Sequence, residues 1–499
     1  MIKQIASFIQ KNFSKQDTIF LSFISFLFVI LRFPSLYEPY WYGDEGIYEV
    51  IGIALRHGRV LYSQIWDNKP PVLYLIYALF NGDLFYVKLF SLIVGFASVV
   101  VFFLVAKSLF KNFVSTCVST MVFALGFGLP IIEGNIANAE NFIILPILLA
   151  FYLLFCIDSK VYFKRTIAAG LLLSLAFLTK IVALFDLAAF IIIIFGMKFF
   201  EKETFNVRNI ILEIRKQLST SAQIFVLIFF FLIPIFLTIV YFLINNALPD
   251  FFQAAFSENI GYVGYGNYFI FPMGFLILKI IILLTSIILA FRFKNILTKV
   301  GFMIFVWTAI ALFDSYFSNR SYPHYMLVLL APFSLLAGFV FEKRNLLKIT
   351  LPAIVIVFLI VDYNFSFYKK ITPYYRNFAE YISGGYIERY QNFFDSNTTR
   401  DYDLANFVKA NLKSSENIFL WGDSAQIYAL SGKLPPGRYT VMYHITSYPN
   451  AIEETKEALE KASPRFIIQT KGNEAISNFL SGYQFKYKLD DAVIYEKQF

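Results

Sequence analysis

The chain has 499 residues, 58% of them hydrophobic and only 15% charged, with 61 Phe and 32 Tyr. That balance excludes a soluble globular protein of this length and indicates a polytopic α-helical membrane protein. The formal charge of +9 does not signal a nucleic-acid partner. Lys and Arg gather in short clusters between apolar runs, and no basic groove with interleaved stacking residues stands out.

Runs long enough to cross a hydrocarbon core of ~30 Å fall at about 17–36, 84–107, 112–132, 141–157, 163–179, 181–199, 222–245, 270–291, 296–313, 322–341 and 348–363, about 11 in all. The first run is not followed by a small-residue cleavage site, so it reads as an uncleaved span. Cys117 and Cys156 both fall in apolar stretches and read as small core or lipid-facing residues. Segment 70–81 is apolar but short, led by Pro70-Pro71 and ended by Asn81-Gly82-Asp83. If it does not cross, the clusters at Lys107 and Lys111, Lys160 to Arg165, Lys198 to Lys216, Arg292 to Lys299 and Lys343-Arg344 share one side with the N-terminal lysines. The positive-inside rule then holds throughout, and 70–81 is expected to be an interfacial or re-entrant helix.

This topology puts the N-terminus in the cytoplasm of a plasma (inner) membrane protein. Loops 37–69, 133–140, 246–269 and 314–321 are placed outside. Residues 46–58 carry Ile47, Val50, Ile51, Ala54 and Leu55 at helical spacing, opposite Glu49, Arg56 and His57, which predicts a short helix lying in the interface. The charged stretch 201–220 is expected to form a surface helix between two bundles. Composition changes near 364. Residues 1–363 are expected to form the transmembrane domain, 364–400 an external connector, and 401–499 a small extracytoplasmic α/β domain. In that domain Ile418 to Trp421 and Arg465 to Gln469 read as buried strands, and Glu453 to Lys461 as a helix. Gln484 to Lys497 read as two strands turning at Asp490-Asp491.

Candidate chemistry collects on the loops placed outside. The first run leads into Tyr40-Trp41-Tyr42 and then Gly43-Asp44-Glu45-Gly46. Ionisable groups at a bilayer boundary are costly unless they meet water, a headgroup or a substrate. A carboxylate at this turn is suited to deprotonating or orienting an attacking amine or hydroxyl. Asp44 is the leading candidate and Glu45 the second, since adjacent carboxylates do not readily face one reacting atom. Lys69-Pro70-Pro71 holds a cation in a rigid turn, fit for the phosphate of a polyprenyl-phosphate sugar, with a snorkelling lysine as the alternative. Lys180 sits alone between two apolar runs on the side where topology does not call for a cation, so it reads as a phosphate ligand. Glu133 and Glu140 bracket a loop containing Asn138, and either acid could contact an acceptor. Asn319-Arg320-Ser321-Tyr322-Pro323-His324-Tyr325 offers a guanidinium fork at Arg320, a proton shuttle or phosphate donor at His324, and a sugar-facing ring at Tyr325. Tyr262 and Tyr265, in a glycine-rich loop, suit sugar rings. The three histidines lie in unrelated segments, so no metal site is called for, though a divalent cation held by carboxylates stays open. No Walker loop, dinucleotide fingerprint or nucleophile elbow is present.

Gly43-Asp44-Glu45, Lys69-Pro70-Pro71, Asn138-Ala139-Glu140 and Arg320 to Tyr325 together resemble the GT-C membrane glycosyltransferases. The nearest likeness is to the group of protein O-mannosyltransferases and lipid A aminoarabinose transferases, over the first ~340 residues. The resemblance implies a hexosyl- or pentosyltransferase that moves a sugar, with inversion, from a polyprenyl-phosphate donor to an extracytoplasmic glycan, lipid or protein. It implies a catalytic or acceptor-orienting role for Asp44, a second-loop acid at Glu133 or Glu140, and phosphate binding by Lys69, Lys180 and Arg320. The tail, with Trp421-Gly422-Asp423 and Leu434-Pro435-Pro436-Gly437-Arg438-Tyr439, looks like that of bacterial members. Two rival readings are a lipid-linked glycan flippase, which predicts broken polar helices at the midplane, and a non-catalytic glycan-binding scaffold.

Overall fold

The structure, a computed structural model, describes residues 13–157, 162–200, 207–260, 275–318, 320, 322–342, 368–472 and 474–498. The first helix, α1 (Lys15–Arg32), begins with a reciprocal cap in which Ser14 Oγ accepts from the Asp17 amide and Asp17 accepts from the Ser14 amide. After a turn come α2 (Gly43–Arg56), α3 (Pro71–Leu79), α4 (Leu84–Leu109), α5 (Phe113–Gly128), α6 (Ala139–Phe151), α7 (Tyr162–Thr179) and α8 (Leu184–Met197). Then follow α9 (Val207–Ile244), α10 (Leu248–Phe252), α11 (Leu276–Arg292), α12 (Lys294–Ser315) and α13 (Leu327–Glu342). Among the described residues eight helical stretches are long and apolar enough to cross a membrane: Lys15–Tyr37, Leu84–Leu109, Ala139–Cys156, Tyr162–Thr179, Ile181–Phe200, Ser219–Ile244, Lys294–Ser315 and Pro323–Glu342. The expected eleven is therefore not reached there. Phe113–Gly128 and Leu276–Arg292 have only 16 and 17 residues, and 348–363 lies outside the described residues.

One local expectation holds and two are corrected. Helix α3 has nine residues, about 13 Å of rise, too short to cross, as expected; Leu73, Tyr74 and Tyr77 are buried on one side, while Leu75 and Leu79 are exposed on the other. Helix α2 does not lie on an interface with Glu49 outward. Both of its sides are covered: a Cβ on Gly46 would meet the Gln426 backbone nitrogen at 2.8 Å, and one on Gly52 the Tyr77 carbonyl carbon at 2.8 Å. The helix can pass between the two only because those positions carry no side chain. The stretch 207–220 is not a separate surface helix but the first part of the 38-residue α9, continuous with the span that follows.

The connector is helical as well: α14 (Tyr368–Ile382), α15 (Ile387–Phe394) and α16 (Thr398–Asn411). Beyond them lie β1 (Ile418–Trp421), α17 (Gln426–Ser431), α18 (Met442–Ser447), α19 (Ala451–Ala462), β2 (Phe466–Gln469), β3 (Tyr483–Leu489) and β4 (Ala492–Lys497). The sheet order is β1-β2-β4-β3, with β1 and β2 parallel and the other pairs antiparallel. The strands and the turn at Asp490-Asp491 fall where alternation and turn chemistry place them.

Two apolar cores result. One fills the helical bundle, around Phe28, Phe102, Phe151 and Trp307. The other joins α2 and α3 to the tail through Ile47, Tyr77, Trp421 and Ile427. The tail is thus packed directly against the helix that carries Asp44.

Candidate functional site

Chain alternation brings one end of each span to a common face. Arg32 closes α1, Lys88 lies in the first turns of α4, Glu140 opens α6, Lys180 follows α7, Asp314 ends α12 and His324 precedes α13. The basic residues Lys107, Arg165, Lys198, Arg292 and Lys294 lie at the opposite ends. Polar chemistry and topological charge are separated by the length of the bundle.

Asp44 stands in the first turn of α2, where the unpaired amides of the helix start favour an acid. It is half-buried, and Tyr48 Oη donates to its Oδ2 at 3.3 Å. Burial pushes its carboxyl above the ordinary carboxylate range; the charges of Lys69 and His324 oppose that shift and Asp67 adds to it. The structure therefore brings Asp44, Lys69 and His324 within electrostatic reach of one another.

Lys69 is held by its backbone. Its amide donates to Tyr74 Oη at 3.0 Å, its carbonyl accepts from Tyr62 Oη at 2.7 Å, and its Nζ donates to Asn68 Oδ1 at 2.8 Å. Tyr74 Oη also donates to Asp67 Oδ2 at 2.7 Å, and Asp67 Oδ1 lies 3.6 Å from His444 Nε2 of the tail. His444 is buried, which pulls its imidazole down to about 4.

Across the site, Glu133 Oε2 lies 2.6 Å from His324 Nδ1 and accepts from Tyr42 Oη at 3.2 Å. The other imidazole nitrogen lies 3.7 Å from Glu140 Oε1, which pairs with Lys180. The Lys180 ammonium sits 4.5 Å from the Tyr325 ring centroid. Asn138 Nδ2 reaches Tyr42 Oη at 3.5 Å, and its Oδ1 is buried without a hydrogen-bond partner among the described residues. Glu133 does not share a helix with Glu140. It takes a left-handed backbone (φ 59°) in a turn, and the helix begins only at Ala139. Arg320 lies in the turn before His324, where its amide donates to Ser318 Oγ at 3.4 Å. Tyr262 and Tyr265 lie outside the described residues.

Glu45 faces elsewhere. Its Oε1 accepts from the Ala137 amide at 2.7 Å, and its Oε2 is 3.4 Å from Lys88 Nζ. Lys88 also donates to Glu38 Oε2 at 2.8 Å, and Glu38 Oε1 accepts from Asn135 at 2.8 Å and Tyr374 at 2.5 Å. Burial raises the Glu45 carboxyl and carries Glu49 well above the ordinary range. Both Glu49 oxygens are buried without hydrogen-bond partners among the described residues, a costly state for a carboxylate. This network fixes α2 to α4 and to the 133–140 turn, and so sets where Asp44 stands.

Tyr42, Glu38, Lys88 and the Asp67–His444 pair are residues that join the candidate site only in three dimensions. Lys88 had a signal: like Lys180, it is a lone cation at the wrong end of an apolar run. Tyr42 and His444 had none, because their partners are remote in sequence. No group of three or more His, Cys, Asp or Glu able to hold a metal occurs among the described residues.

No family model matches the sequence, and no curated protein does. Solved structures do. ArnT from Cupriavidus metallidurans bound to undecaprenyl phosphate is 14% identical, with a TM-score of 0.56 over 96% of this chain and 98% of that one. The chain shares the fold of that structure along nearly its whole length. The archaeal oligosaccharyltransferase AglB from Archaeoglobus fulgidus, in complex with an inhibitory peptide and a dolichol-phosphate, is also similar. It is 14% identical, with a TM-score of 0.47 over 92% of this chain and 70% of that one.

Proposed function

We propose that this protein transfers a sugar from a polyprenyl-phosphate donor to a glycan, lipid or protein acceptor at the outer surface of the plasma membrane. The observation carrying this reading is the half-buried Asp44 carboxyl, flanked on one side by the Lys69 turn and on the other by the Glu133–His324–Glu140–Lys180 cluster, all at one end of the bundle. The fold shared with ArnT, whose crystal structure holds undecaprenyl phosphate, supports the donor class. Basic clusters at the opposite ends support an external site by the positive-inside rule.

In this reading Asp44 accepts the proton of the acceptor hydroxyl or amine as it attacks the anomeric carbon. The C–O bond to phosphate breaks on the opposite face, inverting the centre, and the leaving phosphate takes the electron pair. Lys69, with Lys180 and Arg320, neutralises that growing charge in a partly dry cleft. Tyr42 and His324 hold Glu133 and Glu140 in place, and Tyr325 and Asn138 line the sugar side. Glu45 serves as an anchor for Lys88 rather than as a base. The test is transfer from a panel of radiolabelled polyprenyl-phosphate sugars in purified membranes; no transfer from any donor contradicts the assignment.

The specific observation favouring a lipid-linked glycan transporter is a second pair of span acids. Asp186, which accepts from Trp307 Nε1 at 2.8 Å, and Asp314 are both buried. They lie in the first turn of α8 and at the end of α12, close to the same boundary as Lys180. A transporter needs such groups near the midplane, so transfer is the better reading.

A further inference from the structure

We infer that the α14–α15 hairpin is a membrane-surface device whose tip enters the interfacial layer of the lipid bilayer. Its depth is set by contacts with the first span. Tyr375 Oη, in the middle of α14, donates to the Leu31 carbonyl at 2.8 Å, in the last turn of α1. Phe378 packs against Phe33 and Tyr37, with ring centroids 6.1 and 5.6 Å apart, and Tyr390 Oη of α15 donates to the Tyr37 carbonyl at 3.2 Å. The hairpin is therefore level with the residues where the span Lys15–Tyr37 leaves the membrane.

From that level the tip projects without cover among the described residues. Ile382, Tyr386 and Ile387 are 63%, 83% and 43% exposed, and Gly384, at φ +92°, makes the turn between the helices. Apolar side chains so exposed on a water-facing connector are costly. Beside the exposed Phe33 and Tyr37 they continue the lipid-facing surface of the span. Arg376 and Arg389 converge on Glu380, at 2.9 and 3.2 Å, and with Glu388 the stretch from 376 to 389 carries two bases and two acids, so the apolar side chains rather than net charge set its affinity for the interface. An exposed apolar tip level with the end of a span is the pattern of an interfacial helix pair, and it makes the link between bundle and tail a brace against the bilayer.

The test uses the full chain, with Cys117 and Cys156 replaced by Ala, reconstituted in vesicles of phosphatidylethanolamine and phosphatidylglycerol. Spin labels are placed at Tyr386→Cys and, as an aqueous control, at the exposed tail position Glu457→Cys. Collision with dissolved oxygen and with a water-soluble nickel chelate is measured for each. The expected result is a shift of residue 386 toward oxygen and away from nickel relative to residue 457. Equal nickel access at both positions overturns the inference. So does protection of residue 386 from both reagents, which would mean a protein surface covers the tip.

Discussion

His324 Nδ1 lies 2.6 Å from Glu133 Oε2 although 191 residues separate them, and Tyr42 Oη meets both, at 3.2 Å from the carboxylate and 3.4 Å from the imidazole. With its second nitrogen turned toward Glu140, His324 ties the 133–140 turn to the last span of the described bundle. Replacing His324→Phe removes both links while keeping an aromatic ring. A displaced turn then costs roughly 10²-fold in transfer rate, with protein yield and detergent stability near wild type. Steady-state rates with the preferred polyprenyl-phosphate sugar check this.

Glu140 is buried and its partner Lys180 is largely so, and cutting Lys180 leaves an uncompensated buried charge. Lys180→Met is expected to cost about 3–5 kcal/mol of stability. The double variant Lys180→Met with Glu140→Met recovers most of it without recovering transfer. Thermal inactivation of the purified proteins, read beside their rates, separates the two effects.

Lys88 is the only cation that the described contacts place between Glu38 and Glu45. Lys88→Met leaves those acids facing each other beside Glu49, and a comparable loss of about 3–5 kcal/mol follows. Neutralising one acid as well, with Glu45→Gln, returns part of the lost stability. Melting by intrinsic fluorescence in detergent measures both.

His444 gives the tail a pH dependence of known sign. Its imidazole is pulled down from 6.5 to about 4 by burial, so between those values the unfolded chain binds a proton that the folded one does not. Stability is full above about 6.5, falls as pH drops toward about 4 and levels off below, a total loss of about 3 kcal/mol. Removing the imidazole in His444→Phe flattens that window. Unfolding midpoints of wild type and variant across this pH range provide the comparison.

Much of the architecture was legible because apolar length and charge placement are local signals. The strand positions of the tail, the helix at Glu453 to Lys461 and the nine-residue α3 follow from such patterns. Helix α2 was misread because the same periodicity that fits an interfacial helix also fits one enclosed on both sides; only Gly46 and Gly52, spaced for close neighbours, hinted at the difference. In the candidate site, Asp44 stood out as an acid at a bilayer boundary, Lys69 as a cation in a proline-restricted turn, Lys180 as a cation where topology does not call for one, and His324 as a histidine early in a span. Glu45 shared the signature of Asp44 but serves the Lys88 network. Lys88 itself and Tyr42 were passed over, since their meaning depends on partners about fifty to three hundred residues away.

The central claim is that Asp44 prepares the acceptor while Lys69 and its neighbours hold the donor phosphate. It is tested most directly by measuring donor affinity and transfer rate side by side for wild type and Asp44→Asn with one labelled polyprenyl-phosphate sugar. The expected result is donor binding within a few-fold of wild type and a rate lower by about 10²–10⁴-fold. Because the Asp44 carboxyl is raised, the acid limb of the wild-type rate should lie above the ordinary carboxylate range. Undiminished transfer by Asp44→Asn would contradict the account.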